Sequence, residues 1–92
     1  MKKCVKITFN VPLKKDFLHH FIQKQARSLA LEGVAQVTAP DTVKVIVYGE
    51  MDAIDDLVDL IHKEAHTYKI TKIEIEPFLK DRDYRGIFRV IE

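Results

Sequence analysis

Cysteine occurs once in this 92-residue chain, as Cys4, so no internal disulfide can brace the fold. A lone thiol suits a reducing compartment, and the expected location is the cytoplasm. No apolar run is long enough to span a bilayer. The basic pair Lys2-Lys3 is not followed by the apolar segment of a secretory signal. Neither sign of charge prevails: 15 Lys and Arg stand against 14 Asp and Glu, a formal net charge of +1. That balance excludes the broad electrostatic attraction of nucleic-acid and membrane-surface proteins, and neither partner is expected. Repeats and low-complexity tracts are missing. Glycine is scarce, three residues in all, and none precedes Gly33.

What is present fits one domain over residues 1–92, long enough for a single two-layer core and too short for two. Residues 3–11 alternate, with Val5, Ile7, Phe9 and Val11 on one parity and Lys6, Thr8 and Asn10 on the other. Period two with one polar face predicts a half-buried strand, which Pro12 ends. Asp16 is placed to cap a helix. Behind it Leu18, Phe21, Ile22, Gln25, Ala26 and Leu29 recur at helical spacing, and Gly33 is the expected C-terminal glycine. Residues 34–38 and 42–48 read as a hairpin around Ala39-Pro40-Asp41. A second helix carries the stripe Ile54, Leu57, Val58 and Ile61. Its acidic start and basic end suit the helix dipole. Residues 70–78 alternate again, 79–85 read as a charged loop, and 86–91 as a last short strand.

The order is β-α-β-β-α-β plus a terminal strand. It predicts an α+β fold, a ferredoxin-like split βαβ sandwich with a mainly antiparallel sheet and two helices on one face. The predicted core joins Leu18, Phe21, Ile22, Leu29, Ile54, Leu57, Val58 and Ile61 to Val5, Ile7, Phe9, Val43, Val45, Val47, Ile73 and Ile75. Ile46 and Tyr48 fall on the opposite parity, where they are expected to offer an apolar patch to a protein partner on the open sheet face.

That topology hosts many functions, so function must come from particular residues. The stretch Phe21-Ile22-Gln23-Lys24-Gln25-Ala26-Arg27, the following Leu29, Leu31 and Gly33, and Thr42-Val43-Lys44-Val45 through Tyr48-Gly49-Glu50 resemble the F-V-Q-R-E-A-R, L-x-L-x-G and S-V-E-V…E-G-E segments of the acylphosphatases. The resemblance runs without a gap from Asn10 to Glu50. It implies a phosphate loop between the first strand and first helix, where backbone N–H groups and a helix N-terminus hold an anion. It also implies an arginine that closes this cradle and an asparagine that orients the attacking water.

The chain departs from the pattern at those places. The family's G-R-V-Q-G-V-G-F-R corresponds here to Val11-Pro12-Leu13-Lys14-Lys15-Asp16-Phe17-Leu18-His19. The arginine position is His19 and the asparagine position is Val37. Valine has no polar atom with which to hold water, and histidine lacks the guanidinium fork. Every loop glycine is replaced, and Asp16 puts a carboxylate where an anion would sit. The expectation is an acylphosphatase-like domain that has lost acyl-phosphate hydrolysis and acts as a binding, regulatory or structural module.

The alternative is an active acylphosphatase with a rebuilt site, in which Lys14, Lys15, His19 and His20 hold phosphate along the loop Lys14–His20, including Asp16, Phe17 and Leu18. Asn10 or Gln36 would then replace the missing asparagine. A phosphate or acyl phosphate is the ligand this alternative implies. An RNA-recognition reading fails for want of aromatics, since the third strand offers only Tyr48. His62 and His66 stand four apart but lack a third ligand. Asp52, Asp55, Asp56 and Asp59 lack the glycine and glutamate of a calcium loop. No metal and no cofactor is expected, and the chain is expected to be a monomer or weak homodimer.

Overall fold

The computed structural model describes residues 2–12, 18–78 and 87–91, with backbone only for Leu18 and His19. The predicted cap Asp16, the loop at 79–85 and Gly86 lie outside the described residues. Strand β1 runs Lys2–Asn10, β2 Glu32–Ala39, β3 Thr42–Glu50, β4 Thr71–Pro77 and β5 Phe88–Ile91. Together they form one five-stranded sheet in the order β4-β1-β3-β2-β5. All neighbours are antiparallel except β2 and β5, which run parallel. This is the predicted ferredoxin-like α+β arrangement.

Helix α1 opens as a π-helical segment, Leu18–Gln23, and continues as an α-helix over Lys24–Ser28. Helix α2 is Met51–Lys63, and a short α3, Ala65–Tyr68, follows a break at Glu64. One row of side chains crosses the whole sheet: Ile75, Ile7, Val45, Ala35 and Val90 are successive register partners. Directly opposed residues share a face, so this row defines the side that the helices cover. Ile7, Phe9, Val43, Val45 and Val47 are fully buried there, against Phe21, Ile22, Ala26, Ile54, Leu57 and Ile61. The Phe21 and Tyr68 rings, 4.9 Å apart at a tilted angle, join α1 to α3.

One core expectation and one surface expectation are corrected. Ile75 lies on the covered face opposite Ile7, yet it is 44% exposed. It sits on the outer strand, whereas α2 packs over β3 and α1 over β2 and β5. Ile46 does point to the open face, but its neighbours leave it only 7% exposed. The Lys6 and Val34 side chains flank it in register, and lysine stems cover apolar surface while their heads stay in water. The expected apolar patch therefore does not surface at Ile46.

The end of α1 is also not where glycine predicts. Ala30 takes the left-handed conformation, φ 58°. Its N–H donates to Arg27 O, and the Leu31 N–H donates to Ala26 O. That is a Schellman closure with alanine in the position glycine usually fills. Burial of the next residue, Leu31, offsets the strain. Gly33 lies instead inside β2, at φ 143°. A Cβ there would stand 1.9 Å from the Ile46 carbonyl oxygen, so the close approach of β2 to β3 demands glycine.

Two opposite outcomes follow for chemical unfolding. Gly33→Ala lowers stability by more than about 3 kcal/mol, from strain and steric overlap combined. Ala30→Gly raises it by about 1 kcal/mol, because the left-handed conformation no longer opposes a Cβ. An unchanged urea midpoint for either variant would contradict this backbone assignment.

Candidate functional site

Of the positions that the resemblance singles out, Val11 and Val37 lie at one end of the sheet, where β1 ends and β2 turns into β3. Alternation along β2 sets the direction of each side chain. Val37 pairs with Val43, and Val43 pairs with Phe9 across β1. All three face the helices. Val37 is half-buried and packs against the core cluster. Among the described residues, the neighbours it packs against are apolar.

Asn10 and Gln36 sit on the opposite face. Asn10 pairs with Thr42, and Gln36 pairs with Lys44 and Ile91, on the side the helices leave uncovered. Sequence alone left open whether either could stand in for Val37. The pleat sends both side chains away from the layer that Val37 faces.

The start of the loop has its own hydrogen-bond pattern. The Val11 N–H donates to Asp41 O at 2.8 Å, tying the end of β1 to the β2–β3 turn. Pro12 has no N–H. Neither of the first two residues of the stretch therefore offers a backbone donor to an anion. Val11 itself is buried. Lys14, Lys15, Asp16 and Phe17 lie outside the described residues. Leu18, His19 and His20 fall on the π-helical segment, with His20 exposed. π-Helical turns are rare and concentrate at functional sites, and nothing in the hydrophobic spacing distinguishes one from an α-helical start.

The remaining candidates separate. His62 and His66 are not on one continuous helix, because the break at Glu64 divides α2 from α3. The His62 Nδ1 lies 3.0 Å from Val58 O, so that nitrogen donates to the backbone one turn earlier. Among the described residues, no group of three or more His, Cys, Asp or Glu side chains is placed to hold a metal ion. Asp52 in the first turn of α2 and His62 and Lys63 in its last turn match the expected dipole pattern. On the open face Lys6 pairs with Glu76 at 2.7 Å. No helix among the described residues is long and apolar enough to cross a membrane.

Two polar side chains that sequence reading left without a role meet at β5. Gln23 Nε2 and Arg27 Nη2 both donate to Phe88 O, each at 3.4 Å. Their spacing of four on one helix places them on one face, but their acceptor is about sixty residues away in the chain. No local signal could have named it.

Comparison with known proteins agrees with this architecture. No curated protein matches the chain in sequence. An acylphosphatase from Coxiella burnetii has a TM-score of 0.82 at 22% identity, over 98% of this chain and 93% of that one. Bacillus subtilis acylphosphatase has a TM-score of 0.76 at 17% identity, over the full length of both. T. kodakarensis HypF is similar over all of this chain but only 12% of its own, with a TM-score of 0.80 and 17% identity. Domains of this fold thus also occur inside much larger proteins. At such identities the structures speak for fold. The acylphosphatase family profile matches residues 17–90, most of the chain. On that match, joined to the sheet order and helix placement above, the chain belongs to the acylphosphatase family.

Proposed function

We propose that this acylphosphatase-family domain does not hydrolyse acyl phosphates and serves as a binding, regulatory or structural module. The observation that carries the reading is Val37. It occupies the position of the family's water-orienting asparagine and packs its apolar side chain against the core. A nucleophilic water there would find no polar atom to hold it. Asn10 and Gln36 lie across the sheet from that layer, which supports the absence of a local replacement. The family match begins at residue 17, so it takes in only the last three residues of the altered stretch Val11–His19. The Val11 N–H is engaged by Asp41 and Pro12 has none, which further weakens an anion cradle.

Removing one preorganised donor from an oxyanion site costs about 10²–10³ in rate. Here the water-orienting group, the arginine and the loop glycines have all changed. A module of this kind works in the cytoplasm as a single domain, monomeric or weakly dimeric, and meets its partner through the open sheet face. That face presents half-buried Lys6, Lys44 and Tyr48, with Ile91 exposed at its rim.

The test is a hydrolysis assay on purified protein with a synthetic acyl phosphate. The expected rate matches spontaneous hydrolysis. Phosphate titration followed by amide shifts is expected to leave Lys14–His20 unmoved. Turnover that disappears on substituting His19 or Lys15, or saturable shifts along this loop, would establish the rebuilt enzyme instead. A companion variant examines the packing itself. Val37→Asn places an amide among apolar neighbours and lowers stability by about 1–3 kcal/mol in urea unfolding, without restoring hydrolysis. Neutral stability would mean that the Val37 position is wetter than its packing indicates.

A further inference from the structure

We propose that Gln23 and Arg27 form a cap on the outer edge of β5 that keeps a second copy of this chain from adding a strand there. The inference rests on the fold alone and is independent of whether hydrolysis is lost.

Among the described residues, strand β5 is outermost in the sheet. The Gly33 N–H donates to Ile87 O at 3.0 Å, so the peptide groups of Ile87 face β2. Along a strand successive residues direct their backbone polar groups to alternate sides, so those of Phe88 face outward. An outward carbonyl on an edge strand is a ready acceptor for another chain. At this carbonyl the donors are already supplied from within: Gln23 Nε2 and Arg27 Nη2 both reach Phe88 O. A carbonyl oxygen has two lone pairs, so two donors fill it. Arg27 carries a permanent charge, which strengthens its bond and places a cation across the path of an incoming strand.

The segment needs such a cap. Ile87-Phe88-Arg89-Val90-Ile91 is β-branched and aromatic but for Arg89, and has neither proline nor glycine. That composition favours strand addition. Ile87 is 41% exposed and Ile91 47%. In a two-fold antiparallel pairing centred on Arg89, Ile87 of each copy would oppose Ile91 of the other on one face, an apolar match. The opposite edge needs no helix to guard it. Strand β4 carries Pro77, Glu74 and Glu76, and Lys72 bends its backbone at φ 56°. Proline, charge and local distortion are devices that edge strands use against pairing. On β5 the one such device is Arg89, and α1 supplies the rest.

Sedimentation of the Gln23→Ala/Arg27→Ala variant over a wide concentration series tests the cap. The apparent dimer dissociation constant is expected to fall by at least about tenfold relative to the parent chain. Lys24→Ala/Ser28→Ala, at exposed positions of the same helix, is expected to behave as the parent. Adding Ile91→Lys to the capless variant is expected to restore the parent value, since it puts a charge into the paired face. A capless variant that stays folded and associates no more than the parent overturns the proposal. So does equal association by the Lys24/Ser28 control, or association that Ile91→Lys leaves untouched. If circular dichroism shows the double variant unfolded, Arg27→Ala alone is measured in its place. If that too is unfolded, the contact is a stability element and the proposal fails.

Discussion

Gly33 brings β2 so close to β3 that any side chain at this position would overlap the Ile46 carbonyl oxygen. Much of the molecule follows from that approach. It fixes Gly33 opposite Val47, and the two-residue period then places Ala35 and Val37 on the helix-covered face and Gln36 on the open one. A slip of one residue would exchange those faces. The same glycine donates its N–H to Ile87 O and so sets the register of β5. The chemistry available at the end of β2 and the exposure of the sheet edge therefore share one backbone constraint, lodged between them.

Given that register, Val37 is part of the packing as well as a departure from the family pattern. It belongs to a row with Val43 and Phe9 that continues the core toward the end of the sheet. Where the resemblance would place a polar, water-directing side chain, this chain extends its hydrophobic layer. The gain is apolar burial, about 1.5–3 kcal/mol for a fully buried side chain of this size and less for one half-buried. Under the proposed function, the corresponding loss is a polar atom that could hold water. Under that reading packing and catalysis compete for one position, and the neighbouring Val43 and Phe9 side with packing.

Much of this was legible in the sequence. Alternation in β1 and β3 gave their faces, and the Ile54, Leu57 and Ile61 stripe gave the buried side of α2, because both signals depend on which face meets the core. The failures have a common cause in tertiary context. Ala30 ends α1 in the left-handed conformation because burial of Leu31 holds it there, while Gly33, which sequence alone places at that end, answers to a strand contact. Ile75 has core-strand chemistry, but its position at the edge leaves it exposed. Ile46 was rightly sent to the open face, yet flanking side chains hide it. At the candidate site the residue identities were legible and the relation between them was not: that Asn10 and Gln36 share the face opposite Val37 depends on register.

The two sheet edges show the same divide between what local sequence records and what folding adds. Pro77, Glu74 and Glu76 protect β4 and can be read as edge signals in the sequence itself. On β5 the hydrophobic residues serve the core first, since Phe88 is fully buried and Val90 packs beside it. That strand cannot take charges or proline at every position without losing its hold on α1 and β2. Protection has to come from outside the strand, and α1 already lies over it, with polar residues one turn apart at its rim. A helix that covers one face of a sheet can thus close an edge as well, through side chains long enough to reach past the last strand. For a domain whose fold also recurs as a segment of much larger proteins, an edge closed by side chains rather than by backbone is one that substitution can open without disturbing the core.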